Sequence, residues 1–141
     1  MAEDLQAKID EIEARRAARK DETARARLEQ YAKDVIEIDR LEGEHGNDRV
    51  AILKMPSYVS GLPTLVVVST PTQLMFERFR QMVRKAGGNT ESMGKAKDML
   101  AATCVAFPDA DTYARMRESW PSIHDNVGLE AIRLGESEGK A

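Results

Sequence analysis

Apolar residues near the start of the chain return at helical intervals. Leu5, Ile9 and Ile12 are spaced by four and three, and Ala24, Leu28, Tyr31, Val35, Ile38 and Leu41 form a second stripe of the same kind. Such spacing gathers side chains on one face of an α-helix, and neither Gly nor Pro interrupts the chain from Ala2 to Glu42. Carried forward in heptad steps, the first stripe arrives at Arg16, Arg19 and Thr23, which are polar. The second stripe is displaced from that line by about two residues, so one uninterrupted coiled coil does not fit. The pattern predicts a charged amphipathic helical arm over residues 1–43 with two separate apolar patches, built as one helix or as two. A single helix of about 40 residues would reach roughly 60 Å, further than the remaining residues can span as a domain.

The pattern changes at Gly43 and Gly46. After a loop from Glu42 to Asp48, the stretches Arg49–Lys54 and Leu65–Val68 read as two short strands. The connection between them holds Pro56, Gly61 and Pro63, which predicts a loop longer than a tight hairpin turn. Ser69-Thr70-Pro71-Thr72 then offers a hydroxyl cap with Pro just inside a helix start. That helix presents Leu74, Met75, Phe79, Met82 and Val83 on one face and stops at Gly87-Gly88. A second helix is expected from Ser92 to Ala106, with Met99, Leu100, Thr103 and Cys104 inward. Pro108-Asp109 ends it, and Asp109 caps a short helix carrying Tyr113, Met116 and Trp120. After Pro121-Ser122, Ile123, Val127, Ala131, Ile132 and Leu134 mark a last helix that Gly135 would stop, leaving a frayed tail over 136–141. The expected fold is α+β and mostly α: a long N-terminal helical arm, a short two-stranded β element, and a small bundle of about four helices within a compact domain at 44–135.

Composition narrows the function more than it names it. The 141 residues carry a net charge of -3, and neither half is a polycation that would adhere to nucleic acid or anionic lipid in bulk. Cys104 is the single cysteine, which rules out an internal disulfide. The longest apolar run, Leu65–Val68, is far too short for a membrane span, and the start lacks a secretion signal, so a soluble intracellular protein is expected. His45 and His124 stand apart, without a second His or Cys at metal-ligand spacing. His45 reads as a solvated loop residue, and His124 beside Pro121-Ser122 as part of a helix start. Cys104 among Ala101, Ala102, Val105 and Ala106 reads as an unreactive core thiol. Gly87-Gly88 beside Lys85 and Asn89 lacks the spacing of a phosphate loop, and Asp109 with Asp111 lacks the Gly and distal Glu of a calcium loop. No catalytic, cofactor or metal site is expected.

One stretch competes for function. Arg15, Arg16, Arg19, Lys20, Arg25 and Arg27 outweigh Asp21 and Glu22, and their position before the Leu28–Leu41 stripe resembles a basic region ahead of a short zipper. Two heptads are too few for an independent zipper, and the Asn expected among base-reading residues is missing. A solvated face, or one for an acidic partner, fits better than a DNA-binding regulator. The methionines and aromatics Met75, Phe76, Phe79, Met82, Met93, Met99, Met116 and Trp120 are mostly core by spacing, while exposed Met side chains make adaptable binding surfaces.

From Arg49 to Leu134 the order of features resembles the small tail assembly chaperones of long-tailed bacteriophages. The resemblance is carried by the strand pair before Thr70-Pro71-Thr72, the helix ending at Gly87-Gly88, the run Ala101-Ala102-Thr103-Cys104-Val105-Ala106-Phe107-Pro108-Asp109, and Trp120-Pro121-Ser122-Ile123 followed by Ala131-Ile132-Arg133-Leu134-Gly135. The charged arm is longer than that family leads one to expect. The resemblance implies a non-enzymatic, self-associating protein in the cytoplasm of an infected bacterial host, binding the tape measure protein during tail assembly, with the tail tube protein as a further candidate partner. A small structural virion protein is the related alternative. Under this reading Leu28, Tyr31, Val35, Ile38 and Leu41 are the first candidates for self-association or client contact, and Phe76, Phe79 and Met82 the second.

Overall fold

With no Gly or Pro to break it before Gly43, the arm forms one helix. In the computed structural model, which describes residues 1–139 and side chains through Ser137, α1 runs Ala2–His45, about 66 Å at 1.5 Å per residue. The break that the two stripes allow between helices does not occur, and His45 sits in the last turn rather than in a loop. The helix continues through Gly43 and ends at Gly46, whose φ of 94° only glycine adopts readily and whose N–H donates to the Glu42 carbonyl at 2.8 Å.

A short 3-10 turn over Asn47–Arg49 leads into β1, Val50–Lys54, which pairs antiparallel with β2, Leu65–Ser69, in the register Val50 to Ser69 and Lys54 to Leu65. The sheet has a third strand. β3, Val105–Phe107, pairs antiparallel with the other edge of β2, so the order is β1-β2-β3 and the two-stranded element expected from sequence is corrected. The helix expected to reach Ala106 stops at Cys104, because Pro108 drives Phe107 out of the helical region and the freed backbone finds a ladder on β2. As the central strand, β2 is buried on both faces, which accounts for its unbroken Leu65–Val68 run.

The helices cover both faces. α2 (Gln73–Ala86), α3 (Thr90–Cys104), α4 (Ala110–Ser119) and α5 (Ile123–Gly139) follow in order. Their N-caps are Thr72, Asn89 and Asp109 for α2 to α4, each side chain accepting a backbone N–H three residues on. Pro71 therefore lies outside α2, not within its first turn. On one face Ala51, Val66 and Val68 pack with Phe76, Leu100, Met116, Val127 and Leu134 of this bundle. On the other, Val50, Leu65 and Val67 pack with Ile38 and Leu41 of α1 and with Ala106 and Phe107. The last turns of the arm thus belong to the core of the compact part.

α5 also differs from expectation at Gly135. The helix passes through this residue, and a Cβ there would lie 2.6 Å from the Phe76 ring, so the glycine serves close approach of α5 to α2 and is not a stop. Of the tail expected over 136–141, residues 140 and 141 lie outside the described residues.

Candidate partner-binding surface

Polar anchors set how α1 sits on the sheet. Asp34, 2% exposed, accepts from the Thr64 backbone N–H at 2.8 Å and the Thr64 hydroxyl at 2.7 Å through one carboxylate oxygen, and from Gln30 Nε2 at 2.9 Å through the other. One turn or two earlier, Arg27 Nη2 donates to the Met55 carbonyl at 2.9 Å. A buried carboxylate is tolerated only when hydrogen-bonded in this way. Together with Ile38 and Leu41 these contacts fix which side of the helix faces inward.

That rotation turns a different set of residues outward along the β1 side of the sheet. Leu28, Tyr31 and Val35 are 67%, 41% and 39% exposed. Leu28 and Tyr31 form, with Ala24, Lys54 and Leu65, the wall of a groove of about 310 Å³. Ile52 alternates onto the same sheet face as Lys54 and is 41% exposed, since α1 lies over β2 and β3 and leaves it bare. Arg27 and Lys54 also line the groove, so its apolar wall is bordered by two cations.

The other candidates fall elsewhere. Ile38 and Leu41, expected at a contact surface, are taken up by the sheet at 6% and 5% exposure, because the docked helix turns them inward. Phe76 is likewise core: its ring stacks on Phe79 with centroids 5.8 Å apart and the Arg80 guanidinium lies 4.8 Å above it. Phe79 is partly buried against the same cluster. Met82 stays at the surface in a shallow groove between α2 and α3, beside Met75 and Met99. Ile52 was not singled out by sequence, although period-2 alternation in β1 puts it opposite Ala51 and Leu53. Asp34 also escaped notice; the available signal was a lone acid four residues before Ile38 and seven before Leu41, on the apolar side.

A second concavity lies further up α1. Arg16, Arg19, Lys20, Thr23 and Arg27 face Pro56, Ser57 and Tyr58 of the β1–β2 connection across a groove of about 690 Å³. Beyond it residues 1–15 are all exposed.

His124, Tyr113 and Cys104 are buried in the core. His124 is buried where α3, α4 and α5 meet, with Nδ1 2.7 Å from the Tyr113 hydroxyl and Nε2 3.2 Å from the Asp98 carbonyl. Burial raises the Tyr113 phenol to about 12, so it stays protonated and donates to Nδ1, leaving Nε2–H to donate to Asp98. Burial, helped by the Arg117 charge, lowers the His124 imidazole, against smaller opposite effects from Asp98 and Asp125. A lowered imidazole binds its proton more readily unfolded than folded. Stability is therefore complete above its ordinary value of 6.5 and falls as the pH drops below it. The urea midpoint should drop between about pH 7 and pH 5, and that drop should shrink in His124→Gln; an equal drop in both proteins would refute the assignment. Cys104 is buried and its thiol is raised by desolvation, which leaves it a poor nucleophile.

Among the described residues no three His, Cys, Asp or Glu side chains are grouped to hold a metal ion, and no helix is long and apolar enough to cross a membrane. Comparison of the chain with known protein families, with curated proteins and with solved structures finds no match.

Proposed function

We propose that this protein is a non-enzymatic assembly chaperone of a long-tailed bacteriophage or prophage, which shields apolar helical segments of the tape measure protein before the tail tube closes around them. The observation that carries the proposal is the groove walled by exposed Leu28 and Tyr31, on a helix whose rotation the Asp34 and Arg27 anchors fix, with Val35 and Ile52 also exposed. Its shape suits a client helix laid beside α1, with apolar side chains at three- and four-residue spacing entering the groove over Leu65. The cations Arg27 and Lys54 at its border favour acidic flanks on that client. The resemblance in the order of features from Arg49 to Leu134 supplies the phage-tail component of the reading, and with it the proposal that the protein works in the host cytoplasm.

Co-expression with the tape measure protein of the same genome should yield a soluble complex. Leu28→Glu combined with Tyr31→Glu changes only exposed positions and should leave folding within about 1 kcal/mol of the parent. It should weaken the complex tenfold or more, about 1.4 kcal/mol or above, while Ile36→Glu, 70% exposed on another face of α1, should not. Separate elution of the two proteins, with the tape measure protein soluble alone, would refute the chaperone reading.

A further inference from the structure

The basic stretch of α1 borders a concavity. Arg16, Arg19, Lys20, Thr23 and Arg27 form one wall of the groove of about 690 Å³, and Pro56, Ser57 and Tyr58 form the other. That second wall is tied to the rest of the fold at two points. Arg27 Nη2 donates to the Met55 carbonyl at 2.9 Å, and Trp120 Nε1 donates to the Ser57 hydroxyl at 3.0 Å.

Charge in the groove is uncompensated. Among the described residues none of the cations Arg16, Arg19, Lys20 and Arg27 makes an ion pair. Asp21 and Glu22, the acids of the same stretch, project on the side of the helix away from the groove and do not line it. Glu13, one turn before Arg16, makes no ion pair either. The facing wall cannot supply the missing charge, because residues 55–64 include no acid and no base. Like charges gathered in a cleft whose other wall is uncharged concentrate the potential there.

We infer that this groove is the docking site for a short acidic helical segment of another protein. Arg16, Lys20 and Arg27 recur at intervals of one turn and two turns on one unbroken helix. A partner helix laid along α1, with Asp or Glu at three- and four-residue spacing, sets a row of carboxylates against that row of cations. The guanidinium forks of Arg16 and Arg19 can each hold two carboxylate oxygens.

The length of the track favours such a segment over nucleic acid. From Arg16 to Arg27 it runs about 16 Å. Toward the chain start Asp10, Glu11 and Glu13 follow, and at the other end the apolar groove of Leu28 and Tyr31 begins, meeting the basic one at Ala24 and Arg27. A nucleic acid carries its charge onward past any site, about one phosphate per 3.4 Å of each duplex strand. A protein segment can confine its acids to the few turns that match. The basic groove is a separate site from the Leu28–Tyr31 wall, and acidic docking there does not rest on the client reading.

Fluorescence anisotropy with the full chain tests it. The probe is a fluorescein-labelled, alanine-based helical peptide bearing four glutamates at three- and four-residue spacing, with a glutamine version as control. The glutamate peptide should bind at low salt and dissociate in about 0.5 M salt, and the glutamine peptide should not bind. Arg16→Gln with Lys20→Gln should weaken binding by about tenfold or more. Arg15→Gln with Arg25→Gln removes the same charge from the same stretch but outside the groove, and should change binding less than about threefold. All four positions are exposed, and unchanged urea unfolding would confirm intact folding. Absence of binding would overturn the assignment, and so would equal losses in the two double variants, which would reduce it to bulk attraction. Tighter binding of a short oligothymidylate of equal charge, lost with Arg16 and Lys20, would also overturn it by assigning the groove to nucleic acid.

Discussion

Replacing Asp34 with Ala should lower folding stability by about 3 kcal/mol, because a buried backbone N–H, a hydroxyl and an amide lose their acceptor together. The Thr64 N–H and Oγ1 both point at one Asp34 oxygen, and nothing else in the described structure is hydrogen-bonded to them there. Asp34→Asn should cost less, about 1 kcal/mol, since an amide oxygen still serves Thr64 and Gln30 can turn its own amide to present its oxygen. Urea titration of the three proteins checks the order. Amide exchange at Thr64 should rise in the alanine variant ahead of the rest of β2, because the anchor joins α1 to the start of that strand. A loss below about 0.5 kcal/mol for Asp34→Ala would show that the anchor is dispensable.

Gly135→Val is expected to destabilise by about 3 kcal/mol, through overpacking against Phe76. An added Cβ would lie 2.6, 2.7 and 2.9 Å from three atoms of that ring. The ring could yield only toward the adjoining cavity of about 440 Å³, at the loss of its stacking on Phe79 and its contact with the Arg80 guanidinium. For Gly135→Ala two effects oppose: the helix gains about 1 kcal/mol of propensity, and the clash costs about 1–3 kcal/mol. The clash should win. Combined with Phe76→Leu, Gly135→Ala should become neutral or stabilising, a departure from additivity that identifies the ring as the obstacle. Thermal melts of the four proteins in this cycle measure it, and strict additivity would mean that α5 and α2 adjust without strain.

The candidate site was legible in part. Leu28, Tyr31 and Val35 stand in a stripe any helical reading finds, and they are exposed as a contact surface requires. Ile38 and Leu41 stand in the same stripe and are core. A periodic apolar pattern reports that a face is to be covered, and the covering surface, here the sheet built from residues 50–69 and 105–107, is remote in sequence. Phe76 and Phe79 illustrate the same limit on α2. Ile52 is exposed for the opposite reason, as a residue of the edge strand β1 left uncovered on the α1 side.

Short-range physics was readable from the chain alone: the uninterrupted run to Glu42 that permits one long helix, the β-branched stretches of the first two strands, and the Asp109 cap. These depend on neighbours within a few residues, whose sterics and hydrogen bonds are local. What folding in three dimensions added was the partner of each face. It turned the end of the helical arm into a core layer, drew Val105–Phe107 onto β2, made Gly135 a contact point instead of a stop, and gave Asp34 its place beneath the Thr64 backbone. Each of these outcomes depends on which distant backbone or side chain arrives to pair or pack, and that is set by the energy of the whole assembled core, not by any local run of residues.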